Sequence, residues 1–166
     1  MEYLKYYNLE NYLFDEVRNN FLERGYLTPD EFFCIVIWKA NRAKSRIKNR
    51  LLSKNTNLEN AVKELTNDIF NKEGIDKLNV LLSEWGFLLP MATAILTVLY
   101  PDQFSIYDIR VKSQLGIKDI YTAEKYFAEF LPQVKKFAKN NNLDLRDADR
   151  YLWGKSFYED LKKLAS

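Results

Sequence analysis

Leu82 to Val111, LSEWGFLLPMATAILTVLYPDQFSIYDIRV, is the stretch that decides how this chain folds. It reads as helix, glycine turn, helix, proline stop, extended segment, and an aspartate that opens another helix. Leu78, Leu81, Leu82 and Trp85 recur at three- and four-residue spacing and close the first helix. Gly86 supplies the turn, because a positive φ costs glycine nothing. Pro90 suits the first turn of the next helix, where its missing N–H would go unpaired in any residue. Met91 to Leu99 is apolar all round apart from two threonines, which predicts a helix at the centre of a core. Tyr100-Pro101-Asp102 stops it. Phe104 to Tyr107 is extended, and Asp108 stands at an N-cap position.

The order hairpin, buried helix, extended segment, aspartate, helix resembles the helix-hairpin-helix DNA glycosylases of the HhH-GPD superfamily. The interval from Ala92 to Asp108 is close to the one that separates the family's alanine after the hairpin from its catalytic aspartate. Gly86 falls on the first hairpin glycine, and Arg110 and Val111 fall in the helix after the aspartate. Two positions depart from the pattern. Leu88 stands where the second hairpin glycine belongs, and Pro90 stands where bifunctional members carry a lysine nucleophile. The resemblance implies a compact all-α, multi-helix domain with a central helix-hairpin-helix at 78–115. It further implies a monofunctional enzyme that hydrolyses an N-glycosidic bond without forming an imine.

Composition narrows the chemistry independently. The chain has 166 residues, enough for one domain with a sizeable core, and 1–166 is read as a single helical domain. It has one cysteine and no histidine, which excludes iron–sulfur clusters, the usual zinc sites and histidine-based triads. No metal and no cofactor are expected. Cys34 lies in an apolar run and reads as a buried, inert thiol. No apolar run is long enough to span a bilayer, and the start MEYLKYYNLE carries no signal pattern, so a cytoplasmic location is expected.

The net charge is only +2, but its distribution is uneven. Between Lys39 and Lys54 stand seven basic residues (Lys39, Arg42, Lys44, Arg46, Lys48, Arg50, Lys54) and no acid, while acids such as Glu10, Asp15 and Glu16 gather elsewhere. That asymmetry is the footprint of a phosphate-binding face.

The remainder of the chain reads as helices marked by caps. Leu13, Val17 and Phe21 form one stripe, stopped by Gly25. Thr28-Pro29-Asp30-Glu31 is a capping box that opens a long helix predicted over 29–52, with a stripe at Phe33, Val36, Ile37, Ala40, Ala43, Ile47 and Leu51. Arg42, Arg46 and Arg50 then share a second face. Thr56–Glu59 predicts another box, and Thr122 and Asp144 predict caps. Pro132 predicts a kink or a new start, and Ser156–Glu159 a last box for a separate tail helix.

Asp108 is the candidate catalytic residue. Breaking an N-glycosidic bond builds positive charge on the sugar, and a fixed carboxylate beside that carbon stabilises it or positions a water. Gly86, Phe87 and Leu88 in the hairpin, with Lys39, Arg42, Arg46 and Arg110, are the candidate DNA contacts. A base extruded from the duplex needs aromatic walls and a polar reader. Trp38, Tyr107, Tyr151 and Trp153 are the candidate walls. Asp149, four residues before Trp153, is the candidate polar group. Double-stranded DNA is the expected partner. Two alternatives stay open on the residues alone: a DNA-binding module of the same fold without catalysis, and a helical interaction domain whose basic face meets an acidic protein.

Overall fold

A computed structural model describes residues 3–165, and every regular element among them is helical; residues 1, 2 and 166 lie outside the described part. After a single turn at Leu4–Tyr7, α1 spans residues 9–24 and α2 is Pro29–Ala40. Then come α3 (Lys44–Lys54), α4 (Leu58–Asn71), α5 (residues 74–84), α6 (Leu89–Leu99) and α7 (Ile109–Gln114). The last two are α8 (residues 123–140) and α9 (Leu145–Ala165).

Helix α6 is the centre, as its composition requires. Every residue of it except Pro90 is buried. Its two threonines do not strand a hydroxyl in the core. Thr93 donates to the Leu89 carbonyl at 2.8 Å and Thr97 to the Thr93 carbonyl at 2.7 Å. Helices α1, α2 and α5 pack around it, so one contiguous core surrounds α6 among the described residues.

The hairpin forms as its glycine demands. The end of α5 widens into a π turn at Val80–Glu84. The Trp85 N–H reaches back to Val80 O at 3.0 Å and the Phe87 N–H to Leu81 O at 2.8 Å. Gly86 closes that turn with φ 67°, in the left-handed region.

Between α6 and α7 the chain runs extended through residues 104–107, with no neighbouring strand. Side chains answer its backbone instead. The Tyr126 hydroxyl accepts from Ser105 N at 3.0 Å and donates to Ser105 O at 2.7 Å. Asp149 Oδ2 accepts from Ile106 N at 3.4 Å, and Thr93 Oγ1 accepts from Tyr107 N at 2.9 Å. Buried backbone groups must be paired, so this strap is fixed, and with it the position of Asp108.

Four expectations are corrected. The helix predicted over 29–52 breaks after Ala40 (φ −160°, ψ 88°) into one 3₁₀ turn, Asn41–Ala43, before α3. The apolar spacing continues in phase across the break, so periodicity does not reveal it. Within that turn the Asn41 side-chain oxygen accepts from the Lys44 ammonium at 2.7 Å. The stripe shifts accordingly: Phe32 and Ile35 are buried, whereas Ile37 and Ala40 are exposed. Asn57, not Thr56, caps α4 by accepting from Asn60 N at 3.1 Å. The Ser156–Glu159 box does not form, and α9 runs unbroken through it. Glu159 instead accepts from Gln114 Nε2 at 2.7 Å, and Ser156 from Arg110 Nη1 at 3.4 Å, so both residues tie α9 to α7.

Other signals stand. The Thr28–Glu31 capping box is complete, Gly25 ends α1 with φ 77°, and Thr122 and Asp144 cap as read. Pro132 stands in the first turn of the α segment Leu131–Asn140, which restarts regular helix within α8 after a π turn at Tyr126–Phe130. Cys34 is half-buried where full burial is expected, and burial pushes its thiol pKa up. No helix among the described residues is long and apolar enough to cross a membrane.

Candidate functional site

Asp108 ends the strap and caps α7. Its Oδ1 accepts from Arg110 N at 2.9 Å, the capping bond that the sequence predicts. Its Oδ2 receives the Lys39 ammonium, 2.7 Å away, from the last turn of α2. Both side chains are partly open, and both line a cavity of about 540 Å³. That volume is in the range of small-molecule sites.

The same cavity is also lined by Trp38, Trp153 and Ile106 and by Asp149, Arg146, Arg150 and Glu10. Of the residues singled out in the sequence as catalytic or pocket-forming, Asp108, Trp38, Asp149 and Trp153 therefore meet at one place. Trp153 is 42% exposed and stacks on Phe157 with ring centroids 5.4 Å apart. Arg146 lies against Phe14 and Trp38, 4.9 and 5.5 Å from their rings, which pack edge to face on each other. It bonds Glu10 through Nη2 at 2.6 Å and Asp149 through Nη1 at 2.8 Å.

Charge is tuned unevenly across this wall. Burial pushes Glu10 up, but Arg150 and Arg146 outweigh that and hold it below the usual carboxylate range. Asp149 is only 2% exposed. Burial raises its pKa to about 6, and the opposing Arg146 charge, the Ile106 N–H and the Lys39 charge do not undo the rise.

A second groove, of about 290 Å³, shares Lys39 with the first. It is lined by Arg46, Ile47 and Arg50 of α3 and by Gly86, Phe87, Leu88 and Pro90 of the hairpin. The Arg50 guanidinium lies over the hairpin glycine, where a Cβ on Gly86 would stand. Leu88, at the hairpin tip, is 64% exposed. The N-terminus of α6 thus faces a basic wall, the combination that favours an anion.

Several expected contacts are placed differently. Tyr107 is buried away from the cavity, with its ring on Phe130 and its hydroxyl accepting from Ile120 N at 2.8 Å. Tyr151 is exposed against Phe137 and lines neither space. Phe87 is buried against Phe32, so only its backbone can serve the hairpin. The break after Ala40 moves Arg42 off the face that holds Arg46 and Arg50, and it lines neither space. Arg110 is committed to Asp160 at 2.6 Å and covers Trp153 and Phe157.

Sequence reading did not find Arg146, Arg150 or Glu10. Arg146 and Asp149 lie at i, i+3, a spacing that could have paired them. Glu10 comes from the opposite end of the chain, and no local signal joins it to Arg146. No protein-family model matches the chain, and no curated protein or solved structure matches it significantly.

Proposed function

We propose that this chain is a monofunctional DNA glycosylase-like hydrolase, which releases a base from duplex DNA with Asp108 as its catalytic carboxylate. One observation carries the reading. Asp108 opens into an aromatic-walled cavity that shares Lys39 with a basic groove at the hairpin. A nucleotide turned out of the duplex brings its base between Trp38 and Trp153 and its sugar to the mouth, beside Asp108. Its backbone phosphates lie along Arg46, Arg50 and the hairpin, contacts that position the strand and read no sequence. As the C1′–N bond lengthens, the carboxylate stabilises the positive charge on the sugar, and water completes the hydrolysis.

The Lys39 ion pair fits this cycle. It orients Asp108 before DNA arrives, and a phosphate entering the groove competes for the ammonium. A second reading, a DNA-binding module without catalysis, draws on the same pair, since Lys39 neutralises the carboxylate in the free protein. Incubating a panel of damaged duplexes with the protein and measuring free base separates the two.

Two further outcomes are expected. Replacing both Arg46 and Arg50 by alanine weakens duplex binding for every sequence and flattens the dependence of log K on log salt by about two units. An unchanged slope in a fluorescence titration would remove the basic groove from the account. Borohydride reduction during turnover traps no covalent DNA adduct, because Pro90 offers no amine and the Lys39 amine is held as an ion pair. A trapped adduct, located by peptide mapping, would contradict the monofunctional reading and point to Lys39.

A further inference from the structure

Asp149 is more deeply buried than a residue that merely contacts a ligand needs to be. Both of its hydrogen-bond donors, Arg146 Nη1 at 2.8 Å and Ile106 N at 3.4 Å, reach Oδ2. Among the described residues no donor reaches Oδ1, which leaves that oxygen to carry a proton. The other groups that bear on it are Lys39 from α2, Glu10 through Arg146, Asp108 across the cavity, and Tyr126 behind the strap. The cavity therefore holds two carboxyls that differ in burial. Each is paired with a cation, Asp108 with Lys39 and Asp149 with Arg146, but Asp108 is partly open while Asp149 is 2% exposed. Two acids kept in such different environments are the usual basis for dividing an acid role from an ionised one.

Building on the glycosylase reading, we infer that Asp149 is a second catalytic residue, the general acid that protonates the departing base, and that the substrates are nucleotides carrying electrically neutral bases. The step balances as follows. The C1′–N bond breaks and its electron pair goes to the base. Asp149 delivers its Oδ1 proton to a ring nitrogen, so the base leaves neutral. Water bonds to C1′, and the proton it loses returns to the Asp149 carboxylate. A base made cationic by N-alkylation already leaves as a neutral molecule and needs no such proton. Burial holds the Asp149 pKa near 6, so the acid form is present in useful amount close to neutrality.

The test is single-turnover base release by the wild-type protein from pH 6 to 8. The probes are duplexes with one uracil, hypoxanthine or 8-oxoguanine, and a duplex with one 7-methylguanine cation. For a neutral base the rate is expected to fall about tenfold per pH unit above 6, as the acid form disappears. Asp149→Asn keeps an acceptor for Ile106 N. It is expected to lose release of neutral bases by about 100-fold or more, with any release of 7-methylguanine little changed. A structural role alone would not separate the two kinds of base or impose the pH limb. Rates on neutral bases that do not change with pH, or release confined to the cationic base, overturn the assignment of Asp149 and leave the glycosylase reading standing. No base from any duplex at any pH overturns both.

Discussion

Asp108→Asn is expected to slow base release by about 100- to 10,000-fold, while duplex affinity does not fall, because the substitution frees Lys39 for phosphate. Asparagine is as good an N-cap as aspartate, so its side-chain oxygen still accepts from Arg110 N and α7 still starts at Ile109. The Lys39 ion pair is lost, but both groups are partly solvated and the effect on folding is about 1 kcal/mol or less. In the proposed reaction, what disappears is the negative charge beside C1′. Its loss over the stated range corresponds to about 3–5 kcal/mol of transition-state stabilisation. Single-turnover kinetics at saturating protein measure this directly, and circular dichroism checks the fold. A variant that releases base at the wild-type rate would remove Asp108 from the chemistry.

Tyr126→Phe is expected to cost about 2–5 kcal/mol of stability, although it deletes one oxygen. That oxygen is fully buried and serves both backbone groups of Ser105. Removing it leaves a buried N–H and a buried carbonyl without partners, each costing about 1–3 kcal/mol. The ring itself stays packed, since Phe130 stacks on it with centroids 5.5 Å apart. Burial drives the hydroxyl pKa well above the ordinary phenol value, so it remains a neutral donor at any working pH. Urea unfolding gives the loss, and a change under about 0.5 kcal/mol would show that the strap does not depend on this pair of bonds. The consequence reaches the site, because the strap fixes both Asp108 and the Ile106 N–H that faces Asp149. Base release by this variant should therefore fall before it unfolds.

The parts of this architecture that were legible in the sequence are those with local causes. Met91 to Leu99 admitted no solvent face and became the core helix. Gly86 took the positive φ that its turn needs, and Asp108 the capping bond that its neighbours offer. What was not legible has non-local causes. The break after Ala40 leaves the apolar spacing in phase, and it alone separates Arg42 from Arg46 and Arg50. Ser156 and Glu159 carry a capping signature, but α7 supplies Arg110 and Gln114 as partners and the helix continues. Tyr107 reads as well for a pocket wall as for core. The Ile120 N–H, 13 residues away, holds its hydroxyl in the core. The pocket divides in the same way. Asp149 and Trp153 share a helix, so their meeting could be read from spacing. Glu10 reaches Arg146 only because the first helix folds against the last, and no pattern within either helix states that.

The identity of the reaction rests on one product analysis. Duplexes, each carrying a single altered base, are incubated with an excess of the wild-type protein, and the mixture is resolved by mass spectrometry. A free base together with an uncut strand bearing an abasic site is the expected result. Salt-sensitive binding to these duplexes with every strand recovered at its starting mass would contradict it, and would leave a DNA-binding domain with an idle carboxylate at its cleft.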